Sequence, residues 1–154
     1  MLLNRQREVR IALRPLQNFL WRLQAERRIS RAQVNVCLVS EAAMHKLNRE
    51  FQGKDQSTDV LSFPAEHRAA SPGRPRRPRK HGHSRAPSFL GDVAICPRVA
   101  RRNAKRLRRR LADELRVLIV HGVLHLMGYD HESDAGQMHS LETRLRLRFG
   151  LPQT

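Results

Sequence analysis

Three histidines carry the clearest chemical signal in the chain: His121, His125 and His131, within the run His-Gly-Val-Leu-His-Leu-Met-Gly-Tyr-Asp-His. His121 and His125 stand four apart inside a helical pattern, so both imidazoles project from one face. Gly128 falls where that helix must stop, because glycine takes the left-handed conformation at no steric cost. Such a turn folds the chain back and can bring His131 opposite the pair. Three neutral imidazoles suffice as the protein ligands of a catalytic Zn2+, one per chain, with the fourth position open to water.

The same spacing serves the metzincin proteases, which place a general-base glutamate directly after the first histidine. Here that position is Gly122, and peptide hydrolysis by that route is disfavoured. Three neutral ligands leave the metal's double charge undiminished. Such a site suits binding of a phosphate oxygen, lowering the pKa of a metal-bound water toward ~7, and stabilising charge that builds at phosphorus. Asp130 and Glu132 flank His131 and are candidates to orient a ligand imidazole, ordinary turn and helix-start roles being the alternative. His67, His81 and His83 belong to a basic loop, while His45 and His139 read as surface residues.

The elements that must hold these groups follow from periodicity. A helix over 15–27 puts Leu16, Phe19, Leu20 and Leu23 on one stripe, with Pro15 opening it. Residues 33–39 alternate, Val34, Val36 and Leu38 sharing a face, and read as a strand. Ser40 N-caps a helix with an apolar stripe of Ala43, Met44, Leu47 and Phe51, ended by Gly53. Short strands are expected at 59–63 and 89–96, and a weaker edge strand at 1–4. Helices over 97–110, 112–127 and 133–149 complete the chain, Ser133 being the natural N-cap of the last. Phe19 and Trp21 read as packing residues. The expected fold is α+β: one domain over 1–154, a small mixed sheet of three to four strands covered by about five helices, with the zinc site on a helix–turn segment.

Thirty Lys and Arg against 14 Asp and Glu give a net charge of +16, which points to a polyanionic partner. Seven of the basic residues lie in 67–88 and eight in 98–110, two stretches without a single acid. The other 119 positions carry 15 basic and 14 acidic side chains and are nearly neutral. The 67–88 stretch, with four Pro and two Gly, reads as a loop or disordered insertion. Its Arg74, Arg76, Arg77, Arg79 and Lys80 are candidate RNA contacts. So are Arg98, Arg101, Arg102, Lys105, Arg106 and Arg109, which share a broad face of the predicted 97–110 helix. No apolar run approaches the ~20 residues of a membrane span. The N-terminus lacks the apolar stretch of a signal peptide, and two cysteines are too few for a disulfide scaffold, so a cytosolic protein is expected.

The histidine run resembles the signature of the YbeY family of metal-dependent endoribonucleases and rRNA maturation factors. Two upstream blocks are similar to that family as well, in the same order: Gly53-Lys54-Asp55 through Thr58-Asp59-Val60-Leu61-Ser62-Phe63-Pro64, and Leu90-Gly91-Asp92-Val93-Ala94-Ile95. The resemblance implies a cytoplasmic, single-strand-specific endoribonuclease with one zinc held by His121, His125 and His131. It also implies a role in small-subunit rRNA maturation and ribosome quality control, with ribosomal particles as partners. Where the family carries an arginine before its Gly-Lys-Asp block, thought to face the substrate, this chain has Gln52. Glutamine can hydrogen-bond a phosphate but cannot neutralise it. Gln52 and Lys54 are therefore the candidate substrate-facing residues beside the zinc-bound water. The competing reading is a non-catalytic rRNA-binding assembly factor with a structural zinc; a zinc peptidase is the third, opposed by Gly122.

Overall fold

A computed structural model describes residues 1–29, 33–65, 89–130 and 135–153. The elements run β1 (Leu2–Asn4), α1 (Leu13–Gln24), a 3-10 turn (Arg27–Ile29), β2 (Gln33–Leu38), α2 (Glu41–Gln52), β3 (Val60–Pro64), β4 (Phe89–Ile95), α3 (Pro97–Arg106), α4 (Leu111–Leu126) and α5 (Gln137–Arg148). The strands form one sheet in the order β1-β2-β4-β3. The first two pairings are parallel and the β3–β4 pairing is antiparallel, so the α+β fold with a mixed sheet is as expected.

Alternation along the strands sorts the side chains into two cores. Val34, Val36 and Leu38 of β2 and Val93 and Ile95 of β4 face the larger one, with Leu16, Leu20 and Leu23 of α1 and the apolar residues of α4 and α5. Residues one step out of phase, Cys37, Leu61, Phe63 and Ala94, meet Met44 and Leu47 of α2 on the other face. α4 is apolar around most of its girth, which suits a central helix with neighbours on nearly every side.

Several boundaries differ from the periodicity. α1 starts at Leu13, so Pro15 lies within the first turn, where its missing N–H costs nothing. α2 turns Ala43 and Phe51 outward and buries Met44 and Asn48. The amide of Asn48 donates to the Gln56 carbonyl at 2.8 Å, and this tie to the following loop fixes the rotation. Trp21 is exposed rather than packed. α3 stops at Arg106 because Arg108 takes a left-handed conformation, φ 52°, that starts the corner into α4. The last helix begins at Gln137, with Gly136 at φ 84° in the N-cap position in place of Ser133. Ser133 and Glu132 lie outside the described residues, as does the whole 67–88 insertion with His67, His81 and His83.

Candidate metal centre

The last two turns of α4 bring His121 and His125 together. Their Nε2 atoms are 3.0 Å apart and their rings meet edge to face, centroids 4.5 Å apart. Two imidazole nitrogens on one tetrahedral zinc, at about 2.0–2.1 Å each, stand about 3.3 Å from one another. The pair is thus already close to that spacing, and the donor set suits the metal. Behind the pair the helix ends as expected. The Gly128 N–H donates to the His125 carbonyl and the Tyr129 N–H to that of Leu124, with Gly128 at φ 90°. This two-bond cap satisfies the terminal carbonyls and reverses the chain. His131 itself lies outside the described residues; among those described, the histidines of this frame meet as a pair.

A carboxylate outside the histidine run completes the surroundings. Glu142 of α5 sets its Oε2 3.3 Å from Nδ1 of His121. With the ring proton on Nδ1 donated to Glu142, Nε2 is left as the metal-facing atom. Burial raises the Glu142 carboxyl, but the His121 hydrogen bond and the charge of Arg146 outweigh it and hold the group below its ordinary value. Periodicity missed Glu142, although a signal for it exists in the sequence. It shares the α5 stripe of Met138, Leu141 and Leu145, where a charged residue has no place unless something buried requires it. A cavity of about 390 Å³ adjoins His121 and Glu142, walled by Val60, Leu107, Val117 and Leu118.

Gly122 packs against the sheet. A Cβ there would lie 2.7 Å from Cγ1 of Val93, and the Ser62 hydroxyl donates to the Gly122 carbonyl at 3.0 Å. The side of α4 that bears the catalytic glutamate in the protease frame is here pressed into β3 and β4. Gly91 plays a related part: at φ 143° it lets β4 pass within 2.2 Å, measured from an added Cβ, of the Phe63 carbonyl. The register shift beside it, where Leu90 is the extra residue between Gln33–Phe89 and Val34–Gly91, is a bulge at the mouth of the insertion.

The other candidates are scattered. Gln52 ends α2 and Lys54 follows Gly53, both exposed, and neither is hydrogen-bonded or ion-paired to the histidines among the described residues. Asp130 is exposed just beyond the helix cap. Arg98 and Arg102 are tied to Glu41 of α2, Arg102 by both nitrogens, and Arg98 also reaches Glu8. Arg109 is off the helix altogether. Its side chain is 11% exposed and paired with Glu114 at 3.3 Å, Glu114 being 5% exposed. Burial raises the Glu114 carboxyl despite the charge of Arg109. Arg101, Lys105 and Arg106 remain exposed on α3, and Arg74, Arg76, Arg77, Arg79 and Lys80 lie outside the described residues. No helix among the described residues is long and apolar enough to cross a membrane.

Residues 3–150 match the family model described as Endoribonuclease YbeY. Among curated proteins, Endoribonuclease YbeY of Koribacter versatilis is 41% identical over 124 residues, 80% of this chain and 69% of that protein. The protein of the same name from Solibacter usitatus is 39% identical over 137 residues, covering 89% and 79%. The solution structure of TM1509 from Thermotoga maritima superposes with a TM-score of 0.58 over 97% of this chain and 90% of that one, at 26% identity.

Proposed function

This chain belongs to the endoribonuclease YbeY family, and from that premise we propose that it is a zinc-dependent, single-strand-specific endoribonuclease of the cytoplasm, acting in small-subunit rRNA maturation and ribosome quality control. The observation that carries the metal part is the 3.0 Å approach of the His121 and His125 Nε2 atoms on a buried helix, backed by a carboxylate on His121. His121, His125 and His131 are the proposed ligands. When bound, the metal supplies a concentrated positive charge for an oxygen of the scissile phosphodiester.

The chain's own residues do the rest. α4 holds the two imidazoles on one rigid face, Glu142 fixes the tautomer of His121, and the Gly128 turn ends the helix three residues ahead of His131. Gly122 closes the position that a peptidase would use. The exposed Arg101, Lys105 and Arg106 of α3, with the insertion arginines, supply charge for an RNA backbone. Gln52 and Lys54 are the proposed substrate-facing side chains, and ribosomal particles the proposed partners.

The test is cleavage of a single-stranded RNA by metal-reconstituted protein. Chelation and His125→Ala should each abolish turnover, and added Zn2+ should restore it only to the wild type. Gln52→Arg should tighten RNA binding. Cleavage that survives both chelation and His125→Ala would sink the proposal; salt-sensitive RNA binding with no turnover by the zinc-loaded wild type would favour an assembly factor instead.

A further inference from the structure

We propose that Arg146, acting through Glu142, is a positioning residue for the metal ligand His121, so that the buried ion pair on α5 belongs to the metal centre. The inference rests on the zinc reading of the histidines. Glu142 divides its two oxygens: Oε1 accepts from Nη2 of Arg146 at 2.7 Å, and Oε2 faces Nδ1 of His121 at 3.3 Å. Both charged side chains are buried, at 8% and 7% exposure. Arg146 is anchored in turn by the end of its helix. Its Nη1 donates to the Pro152 carbonyl at 3.3 Å, and its own carbonyl accepts from the Leu151 N–H at 2.8 Å. Leu151 is buried and holds that cap against the core.

Stability alone is a poor reason for such a pair. Taking two charges out of water costs about what their attraction returns, and an apolar pair of similar volume does as well or better. The neighbouring positions of the stripe, Met138, Leu141 and Leu145, show that α5 can supply apolar residues to this surface. The guanidinium, in contrast, has a geometric use. It holds Oε1 of Glu142 and so keeps the carboxylate turned with Oε2 toward Nδ1 of His121. A second buried pair, Arg109–Glu114, lines the same cavity as His121, Glu142 and Arg146. Two buried ion pairs and His121 therefore share the lining of one cavity. Carboxylates that orient a ligand histidine typically affect metal affinity by about 10- to 100-fold.

Two measurements on the full chain test this. In the wild type, nitrogen-15 NMR should find the His121 proton on Nδ1, with and without zinc; a proton on Nε2 in the metal-free protein would overturn the proposal without any variant. In chelator competition, Glu142→Gln should weaken Zn2+ binding about 10- to 100-fold. Arg146→Met should weaken it several-fold, and Arg146→Lys should recover part of that loss. A merely structural pair would lower the melting temperature of these variants and leave the zinc affinity of the folded protein unchanged, which would refute the assignment. Failure of the zinc reading looks different: the wild type itself would not bind Zn2+, and this inference would fall with it.

Discussion

A Cβ at position 122 would sit 2.7 Å from one methyl of Val93 and 3.1 Å from the other, so the sheet, not the metal, dictates glycine there. Overpacking of this kind costs about 1–3 kcal/mol. Gly122→Ala should therefore lower the melting temperature, and Gly122→Glu more so without creating peptidase activity. Because Val93→Ala removes both crowding methyls, Gly122→Ala should cost less in that background than in the wild type; thermal melts of the single and double variants check this. The departure from the protease frame is legible in the sequence as a missing carboxylate, but its cause is not, because no spacing rule reveals which neighbour a helix face will meet. Glu142 and Arg146 escape a reading by period for a related reason. Glu142 meets His121 across 21 positions of sequence, and only tertiary packing aims the i,i+4 pair it makes with Arg146 at that ring.

Elements were more legible than their ends. β2, the apolar face of α1 and the glycine stop of α4 all follow from periods of 2.0 and 3.6 and from one residue's backbone freedom. Two of the misread boundaries share one cause: a single backbone position settled by its surroundings. Arg108 turns left-handed and divides one predicted basic helix into α3 and the corner before α4. Gly136 displaces Ser133 as the start of α5. The cap of α4 allows a magnitude to be attached to such a position. An added Cβ on Gly128 meets nothing within 4 Å, so Gly128→Ala would cost only the left-handed conformation, about 1–2 kcal/mol. The melting temperature should fall by several degrees with the Gly128→Ala protein still folded. An unchanged melt would mean the cap is not held as described.

Across the whole molecule, a charge of +16 divides into residues with different work. Sequence blocks cannot reveal that division, because Arg98 and Arg102 find their acids on α2 and at Glu8, and Arg109 finds Glu114 on α4. On α3, Arg101, Lys105 and Arg106 are exposed with no acidic partner among the described residues, Arg108 is exposed at the corner, and Arg98 and Arg102 stay more than half exposed within their pairs. Cations that touch phosphate and cations in structural pairs respond differently to removal. Each cation taken away from a phosphate makes log affinity less dependent on log salt by a slope of about 0.7 for single strands. Replacing Arg101, Lys105 and Arg106 together by Gln should thus flatten the salt dependence of RNA binding by about 2 if all three touch the backbone, with little effect on melting. Arg109→Gln should do the reverse. It strands a buried Glu114, a change that costs about 3–5 kcal/mol, and leaves the salt slope where it was. Titrating RNA binding against salt beside thermal melts separates the two classes, and a marked flattening of the slope in Arg109→Gln would return that arginine to the RNA surface.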